Sequence, residues 1–256
     1  MLEPVQYLLG AGSGALVGFT LGLVGGGGSI LAVPLIVYLV GVNSPHAAIG
    51  TSALAVAANA AAGLIGHARA GTVKWRCGGM YAAAGVVGAF LGSTLGKAVD
   101  GQRLLLLFAL LMIAVGAMML RKRPDADRPD VQCNRTNAPR VLGFGLGTGV
   151  FSGFFGIGGG FLIVPGLVAS TGMPMINAVG TSLVAVTAFG LTTAFNYALS
   201  GYVDWLLAAA FIAGGVAGVT GGTALAGRLA AKGALNRVFA LLIFAVAAYM
   251  IWRSLG

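Results

Sequence analysis

Charged side chains are scarce in this 256-residue chain, at 8% of all positions. Soluble domains carry about 25%, so an ordinary soluble fold is excluded. Acidic residues are scarcer still, six against fifteen basic ones, and none lies inside an apolar stretch. A proton relay built on membrane-embedded carboxylates is therefore not expected. Two histidines and two cysteines are too few and too scattered for a metal cluster, and no metal or other cofactor is expected. Cys77 and Cys133 sit singly near basic loops, which predicts free thiols rather than a structural disulfide.

Apolar residues fill the rest: 58% of the chain is hydrophobic and the mean hydropathy is +0.95. No charge falls between Pro4 and Ala68, and none between Val141 and Val203. About 20 apolar residues cross the hydrocarbon core, so each window holds several spans. Helices are expected, because barrel strands show weak ten-residue alternation instead. The net charge of +9 marks cytoplasmic loops rather than a nucleic-acid surface. The N-terminus lacks a basic leader, and its apolar run continues into the pattern described next, so no cleaved signal peptide is read.

That pattern is a duplication. Gly14, Gly18, Gly22, Gly25, Gly27, Gly28, Pro34 and Gly41 recur 131 positions later as Gly145, Gly149, Gly153, Gly156, Gly158, Gly159, Pro165 and Gly172. After a one-residue gap, Gly50-Thr51-Ser52 matches Gly180-Thr181-Ser182, and Gly71, Val73 and Trp75 match Gly201, Val203 and Trp205. Duplicated apolar halves, each with a glycine-broken segment, are the mark of secondary transporters whose site lies between the halves.

The fold class expected is an all-α polytopic membrane protein of two inverted repeats, residues 1–120 and 141–256, joined by a cytoplasmic linker over 121–140. Each repeat holds five apolar segments: 5–24, 29–41, 46–67, 77–96 and 104–120, then 141–155, 160–171, 175–199, 205–227 and 235–252. Segments 29–41 and 160–171 reach only about 20 Å at 1.5 Å per residue, so each either spans obliquely or re-enters. Inversion rests on charge. The linker with Arg121, Lys122, Arg123, Arg128, Arg135 and Arg140 belongs inside. Counting spans puts Arg69, Lys74 and Arg76 inside too, Gly201–Asp204 outside, and Arg228, Lys232 and Arg237 inside. Lys97 and Arg103 are a small misfit beside Asp100. Trp75, Trp205, Trp252, Tyr202 and Tyr249 fall at span ends, as interfacial anchors do.

Glycines at spacing four, such as Gly10-Gly14-Gly18-Gly22 and Gly88-Gly92-Gly96, read as bare packing stripes. The runs Gly25-Gly26-Gly27-Gly28-Ser29 and Gly156-Ile157-Gly158-Gly159-Gly160 read differently. Consecutive glycines cost roughly 1 kcal/mol each in a helix, so the helix should break there. The next segment then begins with free N–H groups and the positive end of its dipole, which attract anions. In an inverted pair these ends are expected to face each other near the midplane. A leucine at Gly27 or Gly158 should block the site, whereas Gly14→Ala on a packing stripe should be milder. Thr51, Ser52, Thr181 and Ser182 offer hydroxyls to an oxyanion, or to their own helix carbonyls. Asn59, Asn196 and Thr187 are further polar groups in charge-free segments. His46 reads as an interfacial residue at a helix start, and His67 and Arg69 as cytoplasmic-end residues that either anchor or attract anions. The dinucleotide-like run Gly10–Ala15 lies in a membrane helix and is discarded. A Ser29–His67 dyad is rejected because Gly160 replaces Ser29 in the second half.

At these residues the chain resembles the TauE/SafE family of membrane anion exporters. The likeness rests on the glycine break followed by Pro34 or Pro165, the Gly-Thr-Ser element, and the Gly-x-Val-x-Trp ending of each half. It covers nearly everything outside the linker. The resemblance implies export of sulfite, sulfoacetate or related sulfur oxyanions and organosulfonates across a bacterial inner membrane, with no enzymatic activity. The expected partners are a small anionic substrate and the lipid bilayer, with a homo-oligomer left open. The substrate-binding candidates are Gly25, Gly26, Gly27, Gly28, Ser29, Thr51, Ser52, Asn59, Gly156, Gly158, Gly159, Gly160, Thr181, Ser182 and Asn196. A channel or uniporter without alternating access, or a non-transporting scaffold, remain the alternatives.

Overall fold

The computed structural model describes residues 2–120, 133, 137–156, 160–229 and 234–255. Its described part is all-helical, with ten α-helices. These are α1 (Pro4–Val24), α2 (Ala32–Pro34), α3 (Pro45–Arg69), α4 (Trp75–Ala98), α5 (Gly101–Leu120), α6 (Ala138–Phe155), α7 (Gly160–Thr171), α8 (Met175–Ala198), α9 (Trp205–Leu229) and α10 (Ala234–Leu255). Five of them, α1, α3, α4, α8 and α9, contain stretches long and apolar enough to cross a bilayer. In lipid a backbone must satisfy its own polar groups, and a helix does so within one segment. The chain is a multi-pass membrane protein.

Segment boundaries follow local chemistry. Proline occupies the first turn of α1, α3 and α6, where no N–H is needed. Ser44 caps α3 by accepting from the Ala47 N–H at 3.3 Å. The left-handed glycines among the described residues are Gly25, Gly41, Gly71, Gly156, Gly172 and Gly201. They form three pairs related by the sequence duplication, so both halves turn at matching places. Both glycine runs break the helix as expected: α1 stops at Val24 and α6 at Phe155.

After α1 the chain passes through a 3-10 helix (Gly25–Leu31), α2 and a π-helical turn (Leu35–Leu39). The Gln6 side chain donates to the Val40 carbonyl at 2.8 Å, so this short segment returns alongside the whole of α1. The 3-10 stretch helps, because it rises about 2.0 Å per residue rather than 1.5.

Helices pair as α1 with α9, α4 with α6, α3 with α8, and α5 with α10. The inner pair is α3 and α8, each with 67% of its apolar window buried against 44% or less for α1, α4 and α9. The outer pairs are held by backbone contact. Gly14 lies on Phe211, Gly18 on Gly215 and Gly22 on Val219, while Gly214 lies on Ala11 and Gly218 on Ala15. Register rises together, so α1 and α9 run in the same direction. The α4–α6 pair repeats the arrangement: Gly88 lies on Leu146, Gly92 on Val150, Gly96 on Phe154 and Gly149 on Gly85. Trp75, Trp205 and Trp252 are exposed at helix ends, fitting interfacial placement.

Two expectations are corrected. Cys77 and Cys133 are joined in a disulfide, with Cα atoms 5.3 Å apart and both side chains buried. The chain brings residue 133 back beside the first turn of α4 just before α6, which lies along α4. No rule of sequence spacing shows that return. The second correction concerns Gly14. A methyl group there would strike the Phe211 carbonyl, so Gly14→Ala is not a mild change.

The same geometry predicts opposite effects along α1. Gly18→Ala places a methyl group against the Gly215 backbone and should destabilise by about 1–3 kcal/mol, as overpacking does. Gly12 is exposed, and a methyl group added to it would meet nothing within 4 Å. It should tolerate alanine with a gain of up to about 1 kcal/mol. Thermal unfolding of the purified variants in detergent checks both signs. Equal melting points would show that the α1–α9 contact is not the tight one.

Candidate functional site

The Gly-Thr-Ser elements sit one turn into α3 and α8, and each engages the loop that precedes a helix of the other half. The Thr51 hydroxyl accepts from the Asp204 N–H at 2.9 Å, just ahead of α9. The Thr181 hydroxyl accepts from the Lys74 N–H, also at 2.9 Å, just ahead of α4. The glycines make room: a side chain on Gly50 would strike the Tyr202 carbonyl, and one on Gly180 would meet Thr72 Oγ1 at 2.5 Å. Thr51 and Thr181 are both buried. Each therefore satisfies a part-buried backbone donor and ties one half to the other.

The serines turn onto their own helices. Ser52 Oγ donates to the Ile49 carbonyl at 2.9 Å and lies 3.5 Å from the Gly156 carbonyl. Ser182 Oγ donates to the Val179 carbonyl at 2.7 Å. Around them stand the helix breaks. Gly156 packs on Ile49 and Gly25 on Val179, so each break is seated at the start of the helix carrying the other half's Gly-Thr-Ser. Gly28 folds back onto the Thr20 and Leu21 backbone, and Ser29 is buried. Gly26 and Gly27 lie in the 3-10 helix and Gly160 opens α7. Gly158 and Gly159 fall outside the described residues.

The starts of α3 and α8 lie at opposite ends of the bundle, one beside Asp204 and the other beside Lys74. The two breaks seated there are set apart, not tip to tip at the midplane as the duplication suggested. What the fold brings together is a break from one half with a hydroxyl pair from the other, twice.

Asn196 is tied to α4. Its Nδ2 donates to Ser93 Oγ at 2.6 Å and Thr94 Oγ1 at 2.9 Å, and its Oδ1 accepts from Lys97 Nζ at 2.8 Å. Lys97 also donates to the Asn196 carbonyl at 3.0 Å and Ser200 Oγ at 2.9 Å, capping the last turn of α8. The charge that sat awkwardly in the loop count is thus a cross-helix cap. Its position in the last turn of an apolar helix was the signal that could have identified it. Asn59 contrasts: it is fully buried, and neither side-chain polar atom has a partner. His67, in the last turn of α3, is buried, with Nδ1 at 3.1 Å from Thr72 Oγ1. His46 lies against the Tyr202 and Tyr197 rings, with centroids at 5.4 and 6.3 Å. A groove of about 550 Å³ between α5 and α6 is lined by Leu111, Phe144, Phe151 and Leu162 among others, and none of the candidate residues borders it.

Broken helices in both halves of the sequence, with contacts exchanged between them, fit a membrane transporter. The family model described as "Sulfite exporter TauE/SafE" matches residues 10–250, and the chain belongs to that family. A "Probable membrane transporter protein" of Xylella fastidiosa (strain 9a5c) is 57% identical over 250 residues, covering 95% of this chain and 94% of that protein. "Probable membrane transporter protein YdhB" of Bacillus subtilis (strain 168) is 25% identical, covering 79% and 83%. "Probable membrane transporter protein MJ0441" of Methanocaldococcus jannaschii is 29% identical, covering 66% and 65%. No solved structure matches the chain.

Thr51→Val and Thr181→Val should each cost about 1 kcal/mol, since each leaves a part-buried N–H without its partner. Serine at either position should restore most of that loss. Unfolding midpoints of the four variants test this. A valine variant as stable as the parent would show that its hydroxyl is not holding the loop.

Proposed function

We propose that the protein exports small anions, sulfite or related sulfur oxyanions and organosulfonates, through a path between two inverted halves. The observation that carries the reading is the reciprocal seating of each glycine break against the other half's Gly-Thr-Ser helix. Each break ends one helix and lets another begin near a buried hydroxyl pair, and the N–H groups at such a restart suit an anion without a formal positive charge. The substrate class follows the family's description.

Inversion draws support from helix direction. With α1 parallel to α9, α4 parallel to α6, and α1 and α4 starting at opposite ends, α1 runs against its counterpart α6 and α4 against its counterpart α9. The ends also differ in charge. Arg69, Lys74, Arg76 and Arg140 share one end with the Cys77–Cys133 pair, while Glu3, Lys97, Asp100, Arg103 and Asp204 lie at the other. The basic end is cytoplasmic by the positive-inside rule, in a bacterial inner membrane. Single cysteines at Asn137 and Ser200, in a background lacking Cys77 and Cys133, should react with an impermeant thiol reagent from opposite sides. Reaction of both from one side overturns this sidedness.

The driving force we assign is the membrane potential. A cell interior negative by about 100 mV drives each exported negative charge outward by roughly 2.3 kcal/mol, close to a fiftyfold gradient. In proteoliposomes with a potassium diffusion potential and no pH difference, sulfite flux should rise with the potential. Gly27→Leu should abolish it by filling the first break. Flux that ignores the potential and follows an imposed pH gradient would replace this mechanism with proton coupling.

A further inference from the structure

Several buried polar atoms find no partner in the described structure, among them Ser13 Oγ, Ser152 Oγ and Thr193 Oγ1. A helical hydroxyl can rotate onto its own carbonyl with little change. The amide of Asn59 has a larger requirement, two donors on Nδ2 and an acceptor on Oδ1. None is met, and the residue is 0% exposed. Asn59 stands mid-way along α3. Its amide occupies the notch over Gly215 of α9, where an added methyl group would coincide with it. Gly18 of α1 presses on the same glycine, so three helices meet at this point.

The duplication supplies an internal comparison. Position 59 corresponds to Phe189, and Gly215 corresponds to Gly85. Phe189 fills the notch over Gly85, where Gly149 of α6 presses in the same way. One junction is sealed by an apolar ring and the other holds an unsatisfied amide. An apolar side chain of similar shape would be neutral or better for stability at such a position, so packing does not account for the amide.

We infer that Asn59 is the mid-membrane contact for the transported oxyanion. Its Nδ2–H groups donate to the anion's oxygens, and the path follows the α1–α3–α9 junction rather than its α4–α6–α8 counterpart. This rests on the anion-transport reading above. A neutral amide holds an oxyanion without the deep trap a lysine or arginine would make, which suits a point of passage. The unmet donors belong to the state with no anion bound.

The test pairs stability with transport, using purified protein and proteoliposomes with sulfite, sulfoacetate and sulfate as probes. Asn59→Leu should unfold at the same or a higher temperature than the parent and lose the stabilisation the active anion confers. Its flux should fall about tenfold or more, the worth of one hydrogen bond to a charged group. Phe189→Leu should retain flux. Parental flux in Asn59→Leu overturns the assignment while leaving the transport reading intact. A lower unfolding temperature for Asn59→Leu would also overturn it, by making the amide a structural bond. A parent protein that neither moves nor is stabilised by any of the three anions sinks the transport reading itself.

Discussion

Everything in this bundle depends on glycine letting two backbones touch. Between helices in lipid there is no hydrophobic drive to associate, because the acyl chains are as apolar as the side chains they would replace. Dispersion has to supply the attraction, and it falls off steeply once a gap opens. At Gly18 and Gly215, and again at Gly149 and Gly85, the approach is so close that a single methyl group has nowhere to go. These seams fix the direction and register of α1 against α9 and of α4 against α6. Because each seam joins a first-half helix to a second-half helix, the same contacts that hold the bundle also interleave its halves.

The interleaving gives the Gly-Thr-Ser elements their meaning. From residue chemistry alone, Thr51 and Thr181 were equally suited to bind an oxyanion or to bond within the fold. In the structure each accepts a part-buried N–H from the loop ahead of a helix of the other half. Those loops carry the Gly-x-Val-x-Trp endings, so two motifs that looked separate form one joint, made twice. A serine follows each joint, turned onto its own helix and close to where the opposite break is seated. The proposed anion seat is thus built on the joint, and strain at one would be felt at the other.

Most helices were readable because lipid imposes one rule on every segment: enough apolar residues, no charge, and proline or glycine at the ends. Ser44-Pro45 before α3 and Gly71 after it are such ends. The glycine runs were readable as breaks for the same reason. What was not readable depends on which helices become neighbours. The duplication suggested breaks facing each other, whereas Gly25 seats on Val179 and Gly156 on Ile49, against helices whose starts lie at opposite ends. The Cys77–Cys133 bridge likewise arises from α6 lying along α4, across a separation of 56 residues. The cysteines' single placement near basic loops argued against a bridge, and packing brought the thiols together regardless. Lys97 was visible as an ill-placed charge, but its role needed the last turn of α8 beside it.

Departures from exchange symmetry carry more functional information than the symmetry itself. Matching positions that stay alike, such as Gly50 and Gly180 or Thr51 and Thr181, do the same structural work at both ends. Positions that differ are free of that work or have acquired another. Asn196 stands where the first half has Gly66, and it serves with Lys97 to close one end of α8. His67 stands where the second half has Tyr197, each buried near the loop its own helix leads into. A transport path has two ends that meet different conditions, so identical ends would serve neither well. Between two halves that share one sequence pattern, direction has to be carried at places where the copies disagree, and mid-way along the inner helix pair Asn59 stands opposite Phe189, an unsatisfied amide against an apolar ring.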